Sequence, residues 1–391
     1  MSMSVPLSKS TTKEEKRAVS LDLARGTMLL LIALAHAPLY LYASEPGIMH
    51  RVEGITFLDQ VVNLFGQFMI DNRARAMFAV LFGYGLVLAF KSQLSKGISE
   101  KKVVKTIRRR SWYLIAFGIV LAVIIVGQDI LMAYGVAGLL VSWVLTRSNK
   151  TLLRTFILIT VLYVLIIPLF WGFIVHSVGS YGFTPEVSAT DTYLSTALIR
   201  LTTVPIIPIF IHAMLPVIPS ILLGMWIARY ELLTKPEQHL KSMRRIMITG
   251  FIVSLLGALP LSLIGNLWSP SYFTAGLING LQIITGIAGG LAYAVLFGII
   301  GAKLKEPGRL TSSLMALGKR SLTFYVWNEA LLVLFLSPVA LNLGGQVGNG
   351  IAAIIAAGIW ILSVVLATIL EKRNIAGPLE VLMRRLVSKK K

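Results

Sequence analysis

Three ionisable residues stand inside the first apolar stretch of this chain: Asp22, Arg25 and His36. Ionisable groups at membrane depth are costly and mark function by default. Asp22 and Arg25 are three apart and so are neighbours on one helical face. Arg25 and His36 are eleven apart, just over three turns, so the same face returns after a rise of roughly 16 Å. One helix thereby offers a carboxylate–guanidinium pair near one membrane surface and an imidazole nearer the other. A guanidinium suits phosphate recognition. An imidazole ordinarily titrates near neutrality and suits general-base work. Gly26 beside them lets a backbone or a ligand approach closely. The structural alternative makes Asp22 and Arg25 a pair at a helix start, where Asp suits the dipole, and leaves His36 donating to a carbonyl.

Other polar groups sit in apolar surroundings. Asn328 and Glu329 interrupt the run SLTFYVWNEALLVLF. A bare carboxylate there needs a partner or a proton, and Arg25 is the best match in depth. His212 lies among Pro205, Pro208, Pro216 and Pro219; such a span must kink, and kinked spans often line cavities, so His212 is a second-tier site candidate. Arg73 and Arg75 follow Asp71 just before the second apolar span. On the outer side they either bind an anionic headgroup or acceptor, or pair with Asp71. The five histidines are scattered, cysteine is absent and no His-Glu-x-x-His spacing occurs, so no metal site is expected. Gly83-Tyr84-Gly85 follows no strand and reads as helix packing rather than a nucleotide loop.

The elements that must carry these residues are membrane helices. Of 391 residues, 56% are hydrophobic and only 14% charged, and the mean hydropathy is +0.78. That excludes a soluble globular enzyme and a disordered chain. Ten apolar spans are expected, at about 19–41, 75–91, 107–126, 128–146, 152–176, 204–228, 244–266, 274–301, 320–341 and 350–370. With the N-terminus inside, 32 of the 37 Lys and Arg fall on the cytoplasmic side. The opposite loops carry Glu45, Glu53, Asp59, Glu186 and Asp191. The expected fold is therefore an all-α, polytopic bundle with both termini inside. Residues 1–18 and 372–391 are cytoplasmic tails around a single bundle at 19–371. The net charge of +20 is spent on orientation and on anionic lipid, not on nucleic acid. Residues 57–71 are too short to span; they either lie in the outer interface or dip into it.

Four blocks in order resemble the YeiB-type family of bacterial membrane proteins: SLDLARG at 20–26, AMFAVLFGYGL at 76–86, GKRSLTFYVWNEALL at 318–332, and GPLEVLMR at 377–384. The last two resemble the family's C-terminal domain of unknown function. The resemblance divides the bundle into a family N-terminal part at about 19–200 and a C-terminal part at about 200–386. The family is grouped with transmembrane acyltransferases, such as the lysosomal heparan-α-glucosaminide N-acetyltransferase and the bacterial acyltransferase-3 proteins. The latter carry an Arg, ten residues, then a His in their first span; Arg25 and His36 have that spacing.

The resemblance implies an enzyme of the cell membrane. Cytoplasmic acyl-CoA, acetyl-CoA above all, would be the cosubstrate, with no permanently bound cofactor. Arg25, oriented by Asp22, and the basic inner face would hold the nucleotide end. The pantetheine arm would run along the first span to His36. There the imidazole would take a proton from a glycan- or lipid-linked acceptor, or become acylated itself. Asn328 would supply an oxyanion donor. The bilayer and its anionic lipids are the remaining partners, and a homo-oligomer is open. The rival class is a proton-coupled transporter or lipid flippase that uses the buried His and Glu. A non-catalytic scaffold is the third.

Overall fold

The computed structural model describes residues 11–265, 267–304 and 306–388. Among them all regular structure is helical, and β pairing is confined to isolated bridges such as Pro46–Val52 and Met49–Gly182. The helices are α1 (Thr11–His36), α2 (Phe57–Phe65), α3 (Arg73–Leu94), α4 (Glu100–Ile119), α5 (Leu131–Val141), α6 (Asn149–Val178), α7 (Tyr193–Thr203), α8 (Ile207–Met214), α9 (Val217–Arg229), α10 (Leu240–Leu263), α11 (Tyr272–Lys303), α12 (Arg309–Lys319), α13 (Ser321–Leu336), α14 (Asn349–Lys372) and α15 (Pro378–Ser388). Six stretches are long and apolar enough to cross a membrane: Val19–Tyr40, Phe57–Leu94, Asn149–Val178, Leu240–Leu263, Tyr272–Lys303 and Asn349–Lys372. Their outward faces are apolar: Leu158, Leu165 and Phe173 on α6, Leu256 on α10 and Ile354 on α14 are all exposed. Surfaces of that kind and extent belong against lipid. The chain is a multi-pass membrane protein.

The other four expected spans are shorter or interrupted. α4 opens on charged residues and continues through a π-helical turn, Val120–Ile125, to a left-handed Val126. α5 and its 3₁₀ extension reach only from Leu131 to Thr146. The proline-rich sixth span is not one kinked helix but α8 and α9, parted at Leu215-Pro216; α7 meets α8 at 69°. The ninth is α13 alone, because α12 ends at Lys319 and turns there.

Two breaks decide where the chemistry sits. Residues 57–70 neither lie apart from the second span nor form an extra one. α2, a π-helical turn (Gly66–Ile70) and α3 run together as the 38-residue stretch Phe57–Leu94. It is interrupted at Asp71-Asn72, where Asn72 takes φ +64°. Asn tolerates that left-handed conformation better than other non-glycine residues. The break packs against the middle of α11: a Cβ on Gly286 would strike Asn72, and one on Gly289 would strike the Arg73 side chain. The second break is at Arg320, whose guanidinium donates to the Ala316 and Ile375 carbonyls and to Glu371. α12 lies against α1 backbone to backbone. A Cβ on Gly318 would collide with the Asp22 carbonyl, and one on Gly26 with the Leu314 carbonyl. α13 therefore starts level with Asp22.

Candidate functional site

Two cavities approach each other inside the bundle. One, of about 280 Å³ and called outer after the orientation expected from the charge pattern, is bordered by His36, Arg75, Gln128 and Asp129 within, and by His50 and Glu186 of the loops after α1 and α6. The inner one, of about 1030 Å³, gathers Arg25 of α1, Arg109 and Arg110 of α4, Lys319 and Arg320 at the α12–α13 turn, and Arg384 of α15. Basic groups from four separate parts of the chain thus share one vestibule. Its deep end is apolar and aromatic, with Met28, Phe82, Leu131, Tyr134 and Tyr325. α15, within the expected tail, is an ordered helix on its border; Glu380 accepts from the backbone N–H groups of Leu322 and Thr323 at the start of α13.

The partition between the cavities is the irregular segment 126–130. Non-helical backbone at such depth survives only where side chains satisfy it, and here they do. Arg200 donates to the Gly127 carbonyl at 2.9 Å. The Gln128 N–H donates to the Tyr40 hydroxyl at 3.1 Å. The Tyr325 hydroxyl donates to the Gln128 carbonyl at 3.0 Å and accepts from the Ile130 N–H at 3.2 Å. Asp129 caps α5 by accepting from the N–H groups of Leu131 and Met132.

His36 faces the outer cavity from the last turn of α1. Its Nδ1 lies 2.7 Å from Glu329 Oε1. The Glu329 side chain is wholly buried, and its Oε2 has no protein partner. A carboxylate on Nδ1 favours the tautomer that leaves Nε2 basic, and it orients the ring. Glu329 thus pairs with His36 and not, as its depth suggested, with Arg25. The cause is the α12–α1 contact: α13 departs at the level of Asp22, so eleven residues beyond Gly318 its chain has climbed past Arg25 to within about one turn of His36, a gap the side chains close. Tyr325 lies four residues before Glu329, on the same face of α13. One helical turn, a rise of about 6 Å, separates the aromatic end of the vestibule from the partner of His36.

The remaining candidates are dispersed. Arg25 pairs with Asp22 at 3.3 Å; its side chain is 31% exposed and borders the vestibule. Asn328 borders neither cavity; its Oδ1 accepts from Ser363 of α14 at 2.6 Å, while its buried Nδ2 has no hydrogen-bond partner among the described residues. His212 also lies outside both cavities, with Nε2 2.9 Å from the Ala133 carbonyl. Arg73 and Arg75 do not lie at the outer surface, because the helix break carries them to the depth of mid-α11. Arg73 is 1% exposed and clasps the break, donating to Ser254 and to the Gln67 and Asp71 carbonyls. Arg75 borders the outer cavity. Asp71 pairs with neither of them but with Arg51, through two 2.8 Å bonds. Sequence reasoning missed Arg51, Asp129, Tyr325 and the segment 126–130. Only the polar Gly127-Gln128-Asp129 between two apolar runs signalled anything, and it reads as an ordinary loop. Among the described residues no cluster of three His, Asp or Glu could hold a metal.

Residues 227–390 match the model of a family described as a protein of unknown function, DUF418. That stretch runs from the end of α9 to α15, and it contains two of the four blocks of YeiB-type resemblance. No curated protein matches the chain.

Proposed function

We propose that the protein is an acyltransferase of the cell membrane that moves an acyl group, acetyl in the first instance, from cytoplasmic acyl-CoA to a glycan- or lipid-linked acceptor on the outer side. The observation that carries this reading is one arrangement: a large basic vestibule and a His–Glu dyad lie on opposite sides of a partition one helical turn thick. The orientation is that of ten crossings with both termini inside. The gathering of Arg25, Arg109, Arg110, Lys319, Arg320 and Arg384 at one end of the bundle supports it.

In this reading Arg25 and its basic neighbours hold the phosphates of CoA, with Asp22 fixing the Arg25 fork. The pantetheine arm lies along Met28 and Phe82 toward Tyr325 and Leu131. His36, held by Glu329, removes the proton from the acceptor hydroxyl or amine as that atom attacks the thioester carbonyl. The acceptor–acyl bond forms, the carbon–sulfur bond breaks, and the imidazolium returns its proton to the CoA thiolate. Passage of the acyl group needs the segment 126–130 to shift by a side chain's width. The irregular backbone after Val126, held largely by side chains, suits such a movement.

A transporter remains the second reading. A helix broken at Asp71-Asn72 and two cavities facing opposite sides are features that alternating access also uses. Ligand-induced thermal shifts of the purified protein separate the two. Stabilisation by acetyl-CoA and by CoA, with ATP weaker, supports the enzyme. No stabilisation by either thioester or thiol at millimolar concentration removes it.

A further inference from the structure

The chamber that His36 faces is bordered by two buried amides to which the protein gives no partner. We infer that this chamber binds an uncharged polyol, a sugar ring or a glycerol-type head group, through Gln67 and Asn279. That the polyol is the acceptor, acylated at a hydroxyl, rests on the acyltransferase reading; the site itself is read from burial and hydrogen bonding.

Gln67 is 8% exposed and Asn279 4%. Both border the outer cavity, and neither side-chain amide has a hydrogen-bond partner among the described residues. Buried polar side chains are ordinarily paired, so two unpaired amides on one cavity wall mark a place for a ligand. The two belong together. The Gln282 amide donates to the Gln67 carbonyl at 3.0 Å, and Asn279 stands three residues before Gln282, on the same face of α11. The Arg51 guanidinium lies against Gly66, where a Cβ would strike it, and so stands beside Gln67. Asp71 takes its Nε and Nη2, and its Nη1 has no partner.

The chemistry of this wall selects hydroxyl groups. A carboxamide donates from one end and accepts at the other. A phosphate only accepts, and would leave Gln67 Oε1 and Asn279 Oδ1 unpaired. An ammonium only donates, and would leave the amide nitrogens unpaired. A hydroxyl does both, so neighbouring hydroxyls can satisfy both ends of each amide. Charge gives no competing preference, because Asp71, Asp129 and Glu186 border the chamber together with Arg51 and Arg75. Ile32, Leu39 and Leu215 border it too and offer contact to the carbon–hydrogen surface of a ring. Its volume, about 280 Å³, suits a single ring rather than a long chain. His36 shares the border, so a bound hydroxyl lies in the chamber of the base. The hydroxyl oxygen attacks the thioester carbonyl, and its proton passes to His36 and on to the departing CoA thiolate.

The test titrates the whole protein by calorimetry, in phosphatidylcholine nanodiscs free of sugar-based detergent. The probes are the methyl glycosides of glucose, galactose and mannose, then glycerol, inorganic phosphate, and tetrahydropyran-2-methanol, which keeps the ring but lacks its hydroxyls. At least one polyol should bind about tenfold or more tightly than tetrahydropyran-2-methanol and than phosphate, the least expected of two neutral hydrogen bonds. Binding of a glycoside assigns the site to a sugar, and binding of glycerol alone assigns it to a head group; either supports the inference. Gln67→Leu and Asn279→Leu, at unchanged melting temperature, should each weaken the polyol by about fivefold or more, the worth of one such bond. No binding by any polyol, or equal binding by tetrahydropyran-2-methanol or phosphate, overturns the site without recourse to any variant; so does unweakened binding by both variants. Acetyl-CoA binding is measured in parallel. Polyol binding in a protein that ignores acetyl-CoA would keep the site and discard the acyltransferase, and acetyl-CoA binding without polyol binding would do the reverse.

Discussion

Glu329→Gln isolates the dyad with little change of shape. Glu329 is 0% exposed, and one of its oxygens lies 2.7 Å from His36 Nδ1. If His36 acts as a base, an imidazolium develops beside this carboxylate in the transition state. Two opposite charges about 4 Å apart attract by about 4 kcal/mol at an effective dielectric constant near 20. Losing that attraction slows the step by about 10³. Gln keeps a hydrogen-bond acceptor on Nδ1 but not the charge. The effect should therefore fall on kcat, with KM for acetyl-CoA nearly unchanged, because Glu329 does not border the vestibule. His36→Gln should cost a similar factor, and the double variant little more than either single one, since the two residues act as a unit. The assay is transfer of radiolabelled acetyl to a membrane extract by protein of matched melting temperature. A Glu329→Gln protein within about threefold of wild-type kcat, or a double variant whose losses multiply, refutes the dyad.

Other parts of the molecule give separate tests. Arg25→Ala should weaken acetyl-CoA by at least about tenfold, and Arg25→Lys should weaken it as well, because the bidentate fork is lost; calorimetry on folded variants that shows no change would reduce Arg25 to the partner of Asp22. In this cysteine-free chain, Ser188→Cys should react with an impermeant thiol reagent in intact cells and Ser95→Cys should not; the reverse pattern would invert the orientation. Arg73→Ala takes the guanidinium away from Ser254 and from the Asp71 carbonyl and leaves the Gln67 carbonyl with Gln282 as its side-chain donor, so the protein should lose several kcal/mol of stability. A melting temperature within about 2 °C of wild type would show that the break does not depend on this clasp.

The first helix was legible in the sequence because its evidence is local. A helical period alone puts Asp22 and Arg25 on one face, and in the structure they are an ion pair. Long apolar runs likewise announced the membrane helices. What could not be read was depth. The level of Glu329 is set by where α13 begins, and that follows from the glycine contacts of α12 with α1, some 290 residues away in sequence. Arg73 and Arg75 looked superficial because nothing nearby told that Asn72 would turn left-handed and let the stretch from Phe57 act as the outer part of the same element. Tyr325 and Asp129 look like an aromatic core residue and a loop acid. Their roles arise only when segment 126–130 folds inward and needs its backbone groups satisfied. His212 and Asn328 are each polar in an apolar span; the Ala133 carbonyl and the Ser363 hydroxyl satisfy one atom of each, and neither residue borders a cavity.

The central claim is that an acyl group crosses the partition to a site governed by His36. The most direct test places the purified protein in right-side-out proteoliposomes with ¹⁴C-acetyl-CoA trapped inside and a mixture of candidate acceptors outside. The account predicts acetylated product on the outside, with CoA retained inside. It also predicts that His36→Gln lowers the rate by about 10²–10⁴, the contribution of a positioned general base, while acetyl-CoA still binds. Exit of intact acetyl-CoA, or transfer that proceeds at the wild-type rate without the His36 imidazole, would contradict it.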